Sequence, residues 1–362
     1  MSYGQELVLQ GQPYMNFINS LKSPETKIQY RKTLLKFIQH YNITSLEGLL
    51  SFTRKDVEEM ITKYVTNMNA RGLSYGYINL VMCSIIHFFE MNDVLLNKRK
   101  ISKFMGEHKK MNKDRAYTSE EIKLLVDSGD FRFRAIVLFL ASTGCRISSL
   151  YELEIRHLQK IKDDIYKVTI YENTKEEYFV FTTPEATHAL DQYIYQYRER
   201  NGETIKPTSP LFRNDFDMNS MERIRKNSKP MASQTLKTIL YARLRKVGLI
   251  EKSDRDVRDH QLRHAVPLSH GFRKFWMNQA VNAKLNPEIR EMLLGHRIGL
   301  ASSYYRPSSD EMLEEFMKAV DNLTIDPANR LRKKVEKLEV EKTQFEQLAA
   351  EIREIKKVIN SD

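Results

Sequence analysis

The chain has 362 residues, with 58 Lys and Arg against 47 Asp and Glu and a formal charge of +11. At roughly 100–200 residues per domain this length holds about two domains and an appendage, and the surplus of positive charge points to a polyanionic partner, because each phosphate neutralised by Lys or Arg releases a counterion. Cys83 and Cys145, the only cysteines, exclude a disulfide framework and a zinc cluster; no signal core opens the chain and the apolar run Ala135–Ala141 is far too short for a bilayer, so a soluble, cytoplasmic, nucleoid-associated protein with no membrane partner is expected.

Residues 1–12 are polar and expected to be flexible. A helical pattern begins at Tyr14, with Phe17, Ile18 and Leu21 in register. Ser23-Pro24-Glu25 opens a second helix, with Ser23 as N-cap and Pro24 at the first helical position. Its apolar face runs Ile28, Leu34, Leu35, Ile38. Two further amphipathic segments, 54–70 and 74–91, complete a small helical domain over 13–100. Lys98, Arg99, Lys100, Lys103, Lys109, Lys110, Lys113 and Arg115 then crowd a stretch with few core residues. This reads as a basic linker over 101–117, either a plain tether or a strap along a phosphate backbone.

A second domain is expected over 118–326. Thr118-Ser119-Glu120-Glu121 is a capping box, and the apolar density of Phe133–Leu140 implies a buried helix. Val168–Tyr171 and Tyr178–Phe181 are β-rich runs separated by a polar turn containing Asn173, which predicts a hairpin. Thr183-Pro184-Glu185 opens a helix to about Glu199. Residues 201–233 read as loop, and helices are expected over 233–247, 270–284, 287–294 and 308–320. After Asp326-Pro327 the tail 327–362 changes character. Leu331, Val335, Leu338 and Phe345 recur at heptad-like steps with Lys342 in the intervening slot; Leu348, Ile352, Ile355 and Ile359 continue after a shift in phase. One long helix is expected, either paired in a coiled coil or folded back on the domain. The fold class is therefore mainly α with a small β-hairpin or sheet.

Several short stretches carry chemistry. Thr143-Gly144-Cys145-Arg146-Ile147-Ser148-Ser149 breaks an apolar helix at a glycine and follows it with an arginine. His270 and Arg273 stand three apart, so on a helix they share a face; His260 and Arg263 repeat the same H-x-x-R spacing upstream. Leu293-Leu294-Gly295-His296 ends a helix that starts at Asn286-Pro287. Ser303-Tyr304-Tyr305-Arg306-Pro307 follows. Lys175 sits on the predicted hairpin turn, with Lys162 and Lys167 as rivals. Each alone has an ordinary reading: a surface arginine, a helix cap, a solvated turn lysine.

In this order the stretches resemble the tyrosine recombinases of the phage integrase and Xer-like type, and the likeness covers most of residues 14–320. The resemblance selects among the copies. His296 lies 23 residues after Arg273 and Tyr305 nine after His296, which matches the family's spacing. The distance from Arg263 does not. It thereby implies Arg146, Lys175, His270, Arg273, His296 and Tyr305 as the catalytic set. The double tyrosine followed by Arg-Pro is similar to integrases of archaeal mobile elements. The family usually has an acid three residues after the first arginine, and this chain has Ser149.

The resemblance implies a helical, SAM-like core-binding domain that clamps DNA, a mixed α/β catalytic domain and a C-terminal long helix. It also implies site-specific cutting and rejoining of duplex DNA through a 3′-phosphotyrosyl intermediate, with no metal or other cofactor. Its partners would be double-stranded DNA and further copies of the chain, as a tetramer on DNA, with room for an accessory DNA-bending protein. The chemistry suits the residues. A tyrosine supplies a covalent nucleophile, paired guanidiniums match phosphate oxygens, and a lysine can protonate the departing oxygen. Two rivals stand beside it: strand relaxation of the type IB topoisomerase kind, and a DNA-binding regulator or architectural protein with an inactive site.

Overall fold

The computed structural model describes residues 9–107, 115–161, 164–214, 228–250, 268–297 and 305–332, with 335, 338, 339, 342, 343, 346, 347 and 352 of the tail. Lys162, His260, Arg263, Tyr304 and part of the basic stretch lie outside these residues, as do Phe345, Leu348, Ile355 and Ile359 of the tail. The chain divides into two compact units, the first holding the described residues 9–107 and the second those from 115 onward.

The first unit is helical: α1 Gly11–Asn19, α2 Pro24–His40, α3 Leu46–Leu50, α4 Arg54–Ala70, α5 Tyr75–Glu90 and α6 Lys98–Ser102. Hydroxyl caps start four of them, with Ser23, Ser45, Thr53 and Ser74 accepting from the amides of Thr26, Gly48, Asp56 and Tyr77. These bonds satisfy amides that have no partner inside the helix. The apolar faces close on one core, with Phe17, Leu34, Phe37, Ile61, Val65, Ile78, Ile85, Phe88 and Phe89 fully buried. Thr33 and Ser84 meet across α2 and α5 at 2.5 Å, so the polar pair inside that core is satisfied.

Two expectations change here. The first helix begins at Gly11, three residues before the apolar spacing indicates, and Leu9 is already buried. The basic stretch is not simply a tether either. Lys98–Ser102 is helical, and Ile101 and Met105 are buried in the first core.

In the second unit, α7 (Ser119–Ser128) starts with the expected capping box between Thr118 and Glu121. Helix α8 (Phe131–Thr143) is buried along almost its whole length, as its apolar density predicts. The strands are β1 Leu158–Lys160, β2 Tyr166–Ile170 and β3 Tyr178–Phe181, in the antiparallel order β1-β2-β3. The sheet thus has one strand more than the expected hairpin: Leu158 pairs with Val168, which in turn pairs with Val180. Tyr166, Val168 and Ile170 point to the core and Lys167 and Thr169 do not, the period of two that one buried face requires. Helix α9 (Pro184–Asp191) runs on as a π-helical stretch to Glu199. Then come α10 (Ser233–Lys246), α11 (His270–Asn282), α12 (Pro287–Leu293) and α13 (Ser309–Leu323).

A buried charge cluster ties the end of the α9 extension to the next loop. Glu203 accepts from Arg198 at 2.7 and 2.9 Å and from Arg213 at 2.7 Å, with all three side chains at most 2% exposed. Burial works against the Glu203 charge, but the two guanidiniums prevail and hold its carboxyl below the usual range.

The Glu185 carboxylate on α9 accepts from the amides of Ile325 and Asp326, fixing the start of the tail. Residues 327–332 are helical, as are the described tail positions beyond them. Leu331, Val335, Leu338 and Ile352 are 63, 52, 55 and 47% exposed. The described apolar positions of the heptad pattern are therefore not folded back into the core. No helix among the described residues is long and apolar enough to cross a membrane.

Candidate active site

The site is built where two helices end. Helix α8 stops at Gly144, which takes the left-handed φ of +60° and donates its amide to the Leu140 carbonyl at 3.0 Å. A Cβ here would come within 2.8 Å of Trp276 and 2.9 Å of Leu294, so both the backbone angle and the space demand glycine. Two residues on, Arg146 is extended (φ −70°, ψ 139°) and precedes the 3-10 turn Ile147–Tyr151. The sharp exit places the arginine just beyond the helix end. Helix α12 ends in the same way at Gly295, φ +65°, where a Cβ would strike the ring of Tyr178 at 2.5 Å.

Arg273, one turn into α11, joins these two ends. Its Nη1 donates to the Gly144 carbonyl at 2.9 Å and its Nη2 to the Leu294 carbonyl at 2.6 Å. Free carbonyls at a helix end carry partial negative charge and favour a cation. Burial disfavours the Arg273 charge, and Arg146 alongside disfavours it further. Among the described residues neither guanidinium is in a salt bridge with a carboxylate. Two adjacent cations with that lack suit an anion, because a phosphate would relieve the repulsion.

Both histidines join Arg273. His296 brings its Nε2 within 2.6 Å of the Arg273 Nη2, and its Nδ1 lies 2.5 Å from Glu291. His270, at the first turn of α11, lines with Arg273, Lys274, His296 and Arg115 a cleft of about 450 Å³. Thus His270, Arg273 and His296 share one cleft, and Arg146 stands beside Arg273. Lys175 is exposed on the β2–β3 turn, where Tyr171 and Asn173 take left-handed angles. Its rival Lys167 lies on β2 with its ammonium 4.3 Å from the centre of the Phe179 ring. Tyr305 is 37% exposed on the approach to α13, and no contact among the described residues ties it to the arginines and histidines. Ser149 donates its hydroxyl to the Arg146 carbonyl at 2.7 Å.

Sequence reasoning missed the two carbonyls that hold Arg273, because backbone atoms leave no compositional mark. It also missed Glu291 and Lys274. Glu291 had a signal: it stands five residues before His296, across the glycine that ends α12. Among the described residues there is no group of three or more His, Cys, Asp or Glu able to hold a metal ion.

Residues 115–312 match the model of the phage integrase family. The tyrosine recombinase XerA of Pyrococcus furiosus is 25% identical over 309 residues, covering 82% of this chain and 89% of that one. Among solved structures, the Tn1549 transposon integrase in complex with transposon right end DNA has a TM-score of 0.55 at 16% identity, over 85% of this chain and 99% of that one. A lambda integrase tetramer bound to a Holliday junction has a TM-score of 0.52 at 15% identity, over 82% and 76%. This likeness carries the family and an Xer-like type; it does not single out integrases of archaeal mobile elements. With more than half of its length in the family match, the chain belongs to the phage integrase family and is a tyrosine recombinase, an enzyme that cuts and rejoins DNA at specific sites.

Proposed function

We propose that this chain cleaves duplex DNA with Tyr305 and holds the cut end as a 3′-phosphotyrosyl bond. Arg146 and Arg273 grip the non-bridging oxygens, where negative charge builds in the transition state. The Tyr305 oxygen forms a bond to phosphorus as the bond to the deoxyribose 5′ oxygen breaks. The phenolic proton passes to a base in the cleft, His270 or His296. Lys175 protonates the leaving oxygen. The phosphotyrosyl link keeps the energy of the broken bond, so a 5′ hydroxyl can attack it and rejoin the strand without a nucleotide or a metal.

The observation that carries this reading is the Arg273 guanidinium. It is held by two helix-end carbonyls, repelled by Arg146, and shares a cleft with both histidines. The helical first unit and basic stretch serve as the clamp on duplex DNA. By likeness to the lambda integrase tetramer, recombination joins four copies. The exposed apolar line of the tail is a surface through which copies associate. An accessory DNA-bending protein is compatible with this arrangement.

The test is a suicide-substrate assay in excess EDTA. The full chain and Tyr305→Phe are incubated with nicked duplexes from the DNA flanking the gene and resolved on a denaturing gel. The expected result is a protein–DNA adduct with Tyr305 alone and equal DNA binding by both. An adduct without strand joining between two duplexes would shift the reading to topoisomerase-like relaxation. Tight binding with no adduct on any duplex would shift it to a regulator.

A further inference from the structure

The end of α12 fixes more than the direction of the chain. The Gly295 amide donates to the Met292 carbonyl at 2.8 Å, and the His296 amide donates to the Glu291 carbonyl at 3.0 Å. These are the two bonds of a Schellman cap, which folds the residue after the glycine back over the one five positions earlier. An apolar contact usually fills that position. Here a histidine meets a carboxylate, with His296 Nδ1 2.5 Å from Glu291 Oε2.

The other ring nitrogen, Nε2, lies 2.6 Å from Nη2 of Arg273. A carboxylate only accepts hydrogen bonds and a guanidinium only donates them. One form of the ring satisfies both neighbours: the neutral imidazole with its proton on Nδ1 and its lone pair on Nε2. Glu291 and Arg273 select that tautomer from opposite sides. The nitrogen turned toward the cleft is the accepting one. Ser149 has no carboxylate to offer the cluster, and its hydroxyl is committed to the Arg146 carbonyl.

We propose that Glu291 is a positioning residue for strand cleavage, holding the His296 ring by its Nδ1–H so that Nε2 accepts from Arg273 at the phosphate cleft. It acts through His296, as the carboxylate of a Ser-His-Asp triad acts through its histidine. The proposal rests on His296 belonging to the cleavage site.

The first measurement is the tautomer of His296 in the full chain labelled with ¹⁵N-histidine, with His296→Gln identifying its signals. Long-range ¹H–¹⁵N spectra should show the Nδ1–H form, and Glu291→Ala should shift it toward the Nε2–H form. The second is single-turnover adduct formation on a nicked duplex that the unaltered chain cleaves. Glu291→Ala should slow it by about tenfold or more, as loss of an orienting partner does for metal-binding histidines, with DNA affinity unchanged. Glu291→Gln, which keeps an accepting oxygen, should lose less. The double variant should be no slower than His296→Gln. An unchanged tautomer in Glu291→Ala overturns the proposal, as does full cleavage by Glu291→Ala where His296→Gln is slow. Equal losses for Ala and Gln overturn it as well. Full cleavage by His296→Gln removes His296 from the site, and the proposal with it.

Discussion

Trp276 lies so close to Gly144 that a Cβ on the glycine would come within 2.8 Å of the indole Cγ. The two residues belong to different helices, and their contact sets the distance between the end of α8 and the first arginine on one side and α11 with the second on the other. Gly144→Ala would have to push these helices apart while holding a left-handed backbone angle. The angle alone costs about 1–2 kcal/mol for a residue with a Cβ. The expected outcome is a lower Tm and a loss of cleavage larger than any loss of DNA affinity. An alanine variant with unchanged Tm and cleavage rate would refute the steric argument.

The two arginines should respond differently to lysine. Arg273 fills its fork with two main-chain carbonyls, which a single ammonium on a flexible stem does not reproduce. Arg273→Lys should lose stability, by about 1–3 kcal/mol for the partners left short, together with cleavage. The Arg146 guanidinium makes no hydrogen bond to another described residue, so Arg146→Lys should keep its stability to within about 0.5 kcal/mol. Both should slow adduct formation by about 10²–10³-fold. Thermal unfolding beside single-turnover cleavage separates the two; equal Tm values for both variants would contradict the structural role of Arg273.

Lys175 as general acid makes a chemical prediction. Lys175→Ala should slow cleavage by about 10²–10⁴-fold on an ordinary strand, and far less when the leaving atom is sulfur, which departs without a proton. Lys167, engaged with the Phe179 ring, should show no such rescue. Sulfur rescue of Lys167→Ala with none for Lys175→Ala would exchange the assignments.

Glu203 should govern acid stability. Its folded carboxyl lies below the usual range because Arg198 and Arg213 outweigh its burial. A depressed folded pKa stabilises above the unfolded value, about 4.3, and that contribution is lost as pH falls through the folded one. Glu203→Gln should cost about 3–5 kcal/mol near neutrality, since it removes the carboxylate charge between two buried cations. It should also flatten the loss of Tm between pH 6 and pH 3, as estimated from this linkage. A variant with the acid sensitivity of the parent would show that another group controls it.

The tail can be removed without disturbing its anchor. Ending the chain after Arg330 keeps the bonds from Glu185 to Ile325, Asp326 and Asn329 and removes Leu331, Val335, Leu338 and Ile352. Sedimentation should then show weaker self-association, with adduct formation on a nicked duplex intact. Sedimentation and strand joining identical to the full chain would take the tail out of assembly.

What could be read from the sequence was local. Ser23-Pro24, the Thr118 capping box and Thr183-Pro184 each place a helix start through neighbours a few residues away, and all three stand where expected. The buried run of α8 and the alternation of β2 follow from period alone. Strand β1 has three residues and no pattern of its own; it becomes a strand only because β2 offers it an edge. The burial of Leu9, Ile101 and Met105 is tertiary in the same sense. At the site, the side chains that carry charge were visible by type and spacing. Their supports were not: a carbonyl 129 residues before Arg273 and another 21 after it have no sequence signature.

The grip of two helix ends on Arg273 also bears on how the enzyme spends the affinity of its DNA. A long side chain left free would have to be frozen when the phosphate arrives, at about 0.5–1.5 kcal/mol of lost conformational entropy. Arg273 has already surrendered that freedom on folding. In the role proposed for it, Arg273 meets each duplex as a preorganised guanidinium, which leaves more of the binding energy for the transition state.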